Sequence, residues 1–179
     1  MNVLGLSFYY HDSSAALVQD GKLVAAAEEE RFSRVKHDSG FPTLAVEFVL
    51  KMGGITLDDV DFVVFYEKPF VKFERMLLTA MSTFPRSSAV FRESMQRWVT
   101  DKLWIKSHMT KRLGVPASKL LFADHHVSHA ASSFFTSPFQ EAAILTIDGA
   151  GEWTTSTMGV GRGTKLEVQK EIRFPHSLG

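Results

Sequence analysis

One phrase occurs twice in this chain, near each end, and it restricts the fold more than any other feature. Val3–Phe8 is a short apolar run, Tyr9–Ser13 a polar turn, Ala15–Gln19 a second run, and Lys22–Ala27 a third, entered through Asp20-Gly21. An Asp-Gly pair between apolar runs is a strong two-residue hairpin signal, because both residue types accept positive φ. The phrase returns as Ala143–Ile147, the loop Asp148–Glu152, the run Trp153–Val160, a turn over Gly161–Thr164, and Lys165–Ile172. Two unrelated β-meanders read this way. So does a duplicated nucleotide-binding unit in which each polar turn is a phosphate loop.

Between the two phrases the pattern turns helical. Phe41–Gly54 has apolar residues at helical spacing, Pro42 near its start and Gly53-Gly54 as a stop. Thr56–Asp59 reads as a turn into Asp61–Tyr66, whose unbroken apolar run suits a strand buried on both faces and therefore a mixed sheet. Phe70–Leu113 predicts one or two helices, interrupted near Phe84-Pro85, with the second stretch running from about Ser88 to Gly114. Phe91, Trp98 and Trp104 form a recurring aromatic stripe there, read as core or interdomain contact. Lys119–Ala123 is a further strand, followed by a helix that carries His125 and His129.

Composition bounds the function. At 179 residues and 45% hydrophobic content the chain can bury a sizeable core and fits one domain. Lys+Arg and Asp+Glu both count 20, so no basic excess argues for nucleic acid or an anionic membrane. There is no cysteine, so a disulfide framework is excluded, any metal must take N and O ligands, and a reducing compartment fits. The amino terminus lacks a basic segment followed by a long apolar one, and no window reaches the ~18 apolar residues of a membrane span. The expected location is the cytoplasm.

His125, His129 and Asp148 are the candidate metal ligands. Helix positions four apart stack on one face with Cβ atoms roughly 6 Å apart, so two imidazoles can share one ion. Asp148 arrives from the carboxyl end of an apolar strand, and the glycines beside it let a phosphate approach backbone N–H groups. His125-His126-Val127-Ser128-His129 has no glutamate after the first histidine, which removes the zinc-peptidase reading. Two imidazoles and a carboxylate with open positions suit Fe(II), Mn(II) or Zn(II). His11-Asp12 holds the matching place in the first phrase, where a carboxylate beside an imidazole can tune a general base or the pair can be a capped turn. The charged run Glu28–His37 is either a solvated face or an anion clamp built from Arg31, Arg34 and Lys36. His108 and His176 are read as surface residues.

Four segments together carry a resemblance: Gly5–Val18, Glu28–His37, Asp124–Phe135 and Leu145–Trp153. The chain resembles the amino-terminal part of the carbamoyltransferases of the nodulation protein U type and the antibiotic-tailoring O-carbamoyltransferases, over nearly all of its length. The resemblance implies an α/β fold of the actin/hexokinase-like ATPase (ribonuclease H-like) class, a mixed sheet with flanking helices whose two phosphate loops match the duplicated phrase. It implies carbamoyl-adenylate made from carbamoyl phosphate and ATP by a downstream domain, then carbamoyl transfer to a small-molecule acceptor hydroxyl. His125, His129 and Asp148 would be ligands to a divalent metal, Fe(II) foremost, with Mn(II) or Zn(II) as the other choices. Asp12, Gly149 and Gly151 would line the phosphate loops, and His11 and Lys36 would stand at the transfer site, His11 as the base.

Members of that family are several times longer. The expectation from the sequence is a truncated amino-terminal lobe over residues 1–179 that folds around its sheet, self-associates over exposed apolar surface, and does not turn over alone. Two other classes compete. A metal-dependent ATPase or sugar-kinase-like phosphotransferase would release ADP where carbamoyl-adenylate chemistry releases AMP, and a non-catalytic nucleotide-binding scaffold would use the histidines as core residues.

Overall fold

A computed structural model describes residues 1–10, 12–100 and 102–179. Its strands are β1 (Asn2–Ser7), β2 (Ser14–Gln19), β3 (Lys22–Glu28), β4 (Phe62–Phe65), β5 (Leu120–Phe122), β6 (Glu141–Ile147), β7 (Thr154–Arg162) and β8 (Lys165–Arg173). The helices are α1 (Glu30–Ser33), α2 (Thr43–Gly53), α3 (Pro69–Ser82), α4 (Ser88–Thr100), α5 (Ile105–Leu113) and α6 (His125–Phe134). Two compact units result: Met1–Tyr66 with Arg97–Phe122, and Glu67–Gln96 with Ala123–Gly179.

The first unit holds a five-stranded sheet in the order β3-β2-β1-β4-β5. β1–β2–β3 is an antiparallel meander, and β4 and β5 add to the other side of β1 in parallel. The result is a mixed sheet with flanking helices, an α/β arrangement. Asp20 and Gly21 take φ of 48° and 78°, the two left-handed residues that a tight hairpin following strand twist requires. Leu4, Leu6, Leu17, Val63 and Phe65 from the sheet meet Ala45, Val46 and Val49 of α2 and Ile105, Met109 and Leu113 of α5 in one buried core. At the end of α2, a Cβ on Gly53 would stand 2.4 Å from Leu17 Cδ2, so any larger residue there would make the Leu17 side chain or the helix end move. Gly54, at φ 64°, then ends the helix with the left-handed turn.

Several expectations are corrected here. β4 alternates: Val63 and Phe65 are buried, but Phe62 is exposed, so the strand is not sealed on both faces. Among the described residues Phe70–Leu113 falls into three α-helices, with a 3-10 turn at Lys102–Trp104 between α4 and α5. That turn breaks the aromatic stripe. Trp98 is buried under the Lys102 ammonium while Trp104 faces solvent. His108 is not a surface residue, since its half-buried ring takes a 2.9 Å hydrogen bond with the Tyr9 hydroxyl.

The second unit repeats the meander as β6-β7-β8, all antiparallel. α6 lies on β6 and β7, and its Phe134 ring sits over Gly161, where an added Cβ would come within 2.7 Å of ring carbons. Thr146 and Thr157, paired through their hydroxyls at 2.6 Å, are buried. On the alternate positions Leu145 stands opposite Met158, and both are exposed, as is Ile147.

Glu29, in the middle of the acidic run, is buried rather than solvated. α2 has no capping side chain of its own, and the Glu29 carboxylate accepts from Leu44 N at 3.0 Å and Ala45 N at 2.8 Å. Glu29→Ala leaves two helix-end donors unpaired, so the unfolding free energy should fall by about 1–3 kcal/mol. Urea unfolding followed by circular dichroism measures this, and a loss under half a kcal/mol would refute the capping role.

Candidate functional site

α6 opens without a side-chain cap from its own first residue. The cap comes from Glu152, a buried carboxylate in the loop after β6, whose oxygens accept from His125 N at 3.1 and 3.2 Å. The same carboxylate accepts from Lys68 N at 2.8 Å, just before Pro69 opens α3. One acid therefore serves two helix beginnings, where the backbone dipoles favour negative charge. The ring of His125 is fenced as well: a Cβ on Gly151 would stand 3.0 Å from its Cδ2.

With the helix start fixed, the three predicted ligands converge. His125 Nε2 lies 2.5 Å from Asp148 Oδ2. His129 Nε2 lies 3.1 Å from His125 Nε2 and 3.6 Å from the same Asp148 oxygen. Donors bound side by side to one transition-metal ion, at bonds of roughly 2.0–2.2 Å, stand about 3 Å apart, so this donor set fits a metal. His125 is buried, while half of His129 and a third of Asp148 face solvent, so a ligand would reach a bound ion from that side. Burial alone would push the Asp148 carboxyl up, but the His125 hydrogen bond, the Gly149 N–H and the two imidazoles outweigh it and hold it below the ordinary aspartate value.

His126 has a different task. Its Nε2 donates to the Thr154 carbonyl at 2.8 Å, so its Nδ1 accepts from Thr146 Oγ1 at 2.7 Å. Burial lowers its pKa, reinforced by the neighbouring imidazoles against the Thr154 bond. It is a neutral pin between α6 and the sheet.

The glycines divide their roles. The Gly149 N–H donates to Asp148 Oδ1 at 2.6 Å, with open space where a side chain would stand. The Gly151 N–H donates to Thr154 O at 3.0 Å, and its missing side chain makes room for His125. Ser177 Oγ donates to the Asp148 carbonyl at 3.0 Å.

Asp12 and Lys36 belong to the first unit, and His11 lies outside the described residues. Asp12, at φ 58°, accepts from His37 Nδ1 at 2.9 Å, while the His37 backbone N–H donates to Glu30 Oε2 at 3.0 Å. Lys36 is exposed beside His37, and Arg31 pairs with Glu28. Sequence reasoning missed Glu152 and Glu29. Glu152 carried a signal, its place in the loop after Asp148, whereas Glu29 acts on backbone that only the fold brings near.

The Asp12 carboxylate raises the His37 pKa, mostly through their hydrogen bond. A raised folded value means the contact contributes stability below about pH 6.5, the unfolded value, and loses it as pH climbs through the folded one. In an NMR titration the His37 ring should titrate above about 6.5 and fall back towards that value in Asp12→Asn. Identical titration in both proteins would show the contact absent in solution.

A family described as carbamoyltransferase N-terminus matches residues 2–179. An uncharacterized protein of Synechocystis is 51% identical over 99% of this chain and 30% of its own length. Nodulation protein NolNO of Sinorhizobium fredii is 33% identical over 94% of this chain and 24% of its own length. The chain thus spans less than a third of the length of these relatives. Among solved structures, YeaZ from Pseudomonas aeruginosa is similar at a TM-score of 0.47 and 14% identity, over 98% of this chain and 69% of that one. Among the described residues no helix is long and apolar enough to cross a membrane.

Proposed function

The chain belongs to the carbamoyltransferase N-terminus family, and we propose that it is the metal- and phosphate-holding module of an O-carbamoyltransferase. In this reading a carbamoyl group from carbamoyl phosphate, activated by ATP as carbamoyl-adenylate, passes to an acceptor hydroxyl. The observation that carries it is the convergence of His125 Nε2, His129 Nε2 and Asp148 Oδ2 within 3.6 Å of one another. Two neutral imidazoles and one carboxylate bring a single negative charge to a divalent ion, so the occupied site keeps positive charge for an anionic ligand. Fe(II), Mn(II) and Zn(II) all suit that donor set.

Held by His125, His129 and Asp148, such an ion would supply positive charge to offset that on the departing phosphate. The other roles fall to the chain's own residues. Gly149 gives a phosphate room beside the Asp148 loop, and Asp12 and Gly151 shape the two loops. The family resemblance alone assigns Lys36 to the transfer step, and it assigns His11 as the base that takes the proton of the attacking hydroxyl. The acceptor oxygen forms a bond to the carbamoyl carbon, the bond from that carbon to the adenylate oxygen breaks, and AMP departs with the electron pair.

The test is metal-linked stability. At a free Mn(II) concentration of ~100 times Kd, the chain should gain about 2.7 kcal/mol, read as a higher melting temperature. His129→Ala should abolish the gain without unfolding the protein, because that ring is half exposed. A chain that responds to none of Mn(II), Zn(II) or anaerobic Fe(II) would sink the metal reading and leave the scaffold class in its place.

A further inference from the structure

The three donors are no better placed than the rings that carry them, and the imidazole of His125 has a carboxylate near each edge. Nε2 faces Asp148, and Nδ1, on the opposite edge, lies 3.7 Å from Glu67 Oε2. Glu67 is 3% exposed, and no role assigned so far uses it. A carboxylate so far from water keeps its charge only beside compensating charge. Lys72 supplies it, with Nζ 2.6 Å from the same Oε2 and its side chain only 12% exposed. Lys72 lies in the first turns of α3, the helix whose beginning is tied through Glu152 to the beginning of α6.

We propose that Glu67, steadied by Lys72, is a positioning residue that accepts the Nδ1–H of His125 and so presents the Nε2 lone pair to the ion shared with His129 and Asp148. The proposal rests on the metal reading above and deepens it. An imidazole that binds through Nε2 must carry its proton on Nδ1, and that N–H needs an acceptor. Carboxylates fill this place behind metal-bound histidines because they fix the tautomer and the ring plane and raise ligand basicity. Glu67 is the carboxylate that faces Nδ1. Its 3.7 Å separation exceeds a hydrogen bond, and a side-chain shift of under ~1 Å closes it. The labour divides cleanly: Glu152 holds the His125 main chain, Gly151 leaves room for the ring, and Glu67 sets which nitrogen bears the proton.

The experiment is a Mn(II) titration of the 179-residue chain, with free ion read by electron paramagnetic resonance, for wild type, Glu67→Ala and Glu67→Gln. Loss of an outer carboxylate should weaken binding by about 10–100-fold in Glu67→Ala. The amide of Glu67→Gln still accepts a hydrogen bond, so that variant should lie between and should keep the wild-type circular dichroism spectrum. In the Zn(II)-loaded protein, proton–nitrogen NMR should show a slowly exchanging Nδ1–H on His125 in wild type that exchanges faster in both variants. A purely structural acid would change neither the affinity ranking nor that resonance. If Glu67→Ala does not fold, Glu67→Gln decides alone. Wild-type affinity within twofold in the folded variants, or an unaltered Nδ1–H, overturns the role of Glu67 while leaving the metal site standing. A wild type that binds no Mn(II) or Zn(II) overturns both.

Discussion

The carboxylate of Glu152 is the interaction on which the second unit turns. It is buried, it accepts from the main chain at the start of α6, and it accepts from the main chain just before α3. A helix beginning presents unpaired N–H groups whose desolvation is costly, and a carboxylate satisfies them while lying along the favourable end of both dipoles. Because His125 is the first residue of α6, satisfying that helix also fixes the first metal-ligand candidate. The first unit meets the same need in the same way. There Glu29, carried by the chain just after β3, caps α2 from outside.

Charge around the donor cluster is arranged by depth. The buried acids Glu67 and Glu152 face cations or backbone N–H groups, whereas Asp148 stays partly open. His126, between the two ligand rings in sequence, is kept neutral and bound to Thr146 and Thr154. Adjacent histidines thus separate into a structural pin and candidate donors according to which hydrogen-bond partners the sheet offers them.

Much of this was legible beforehand. The Asp20-Gly21 hairpin, the two meanders, α2 with its Gly54 stop and the helix with its four-residue histidine spacing all rest on local rules, and local rules survive folding. The failures share a cause. Glu29 caps backbone N–H groups 15 and 16 residues away, and Glu67 lies beside the buried His125 ring, contacts to which periodicity is blind. The α4–α5 break carries no glycine or proline, so nothing in the string announced it. Gly151, read as lining the phosphate loop, also leaves room for the His125 ring, a contact that spacing alone does not show. Recognition of the family filled a different gap, supplying the chemistry but not the supporting residues.

Gly161 sets a gauge. It lets Phe134 sit directly on β7, and Phe134 is nine positions along α6 from His125, roughly 13 Å at helical rise. A single methyl there would wedge the far end of α6 off the strands and tip the rod about its pinned beginning. The tolerance of the three-donor cluster is therefore written partly in the thickness of the seam at the opposite end of the helix.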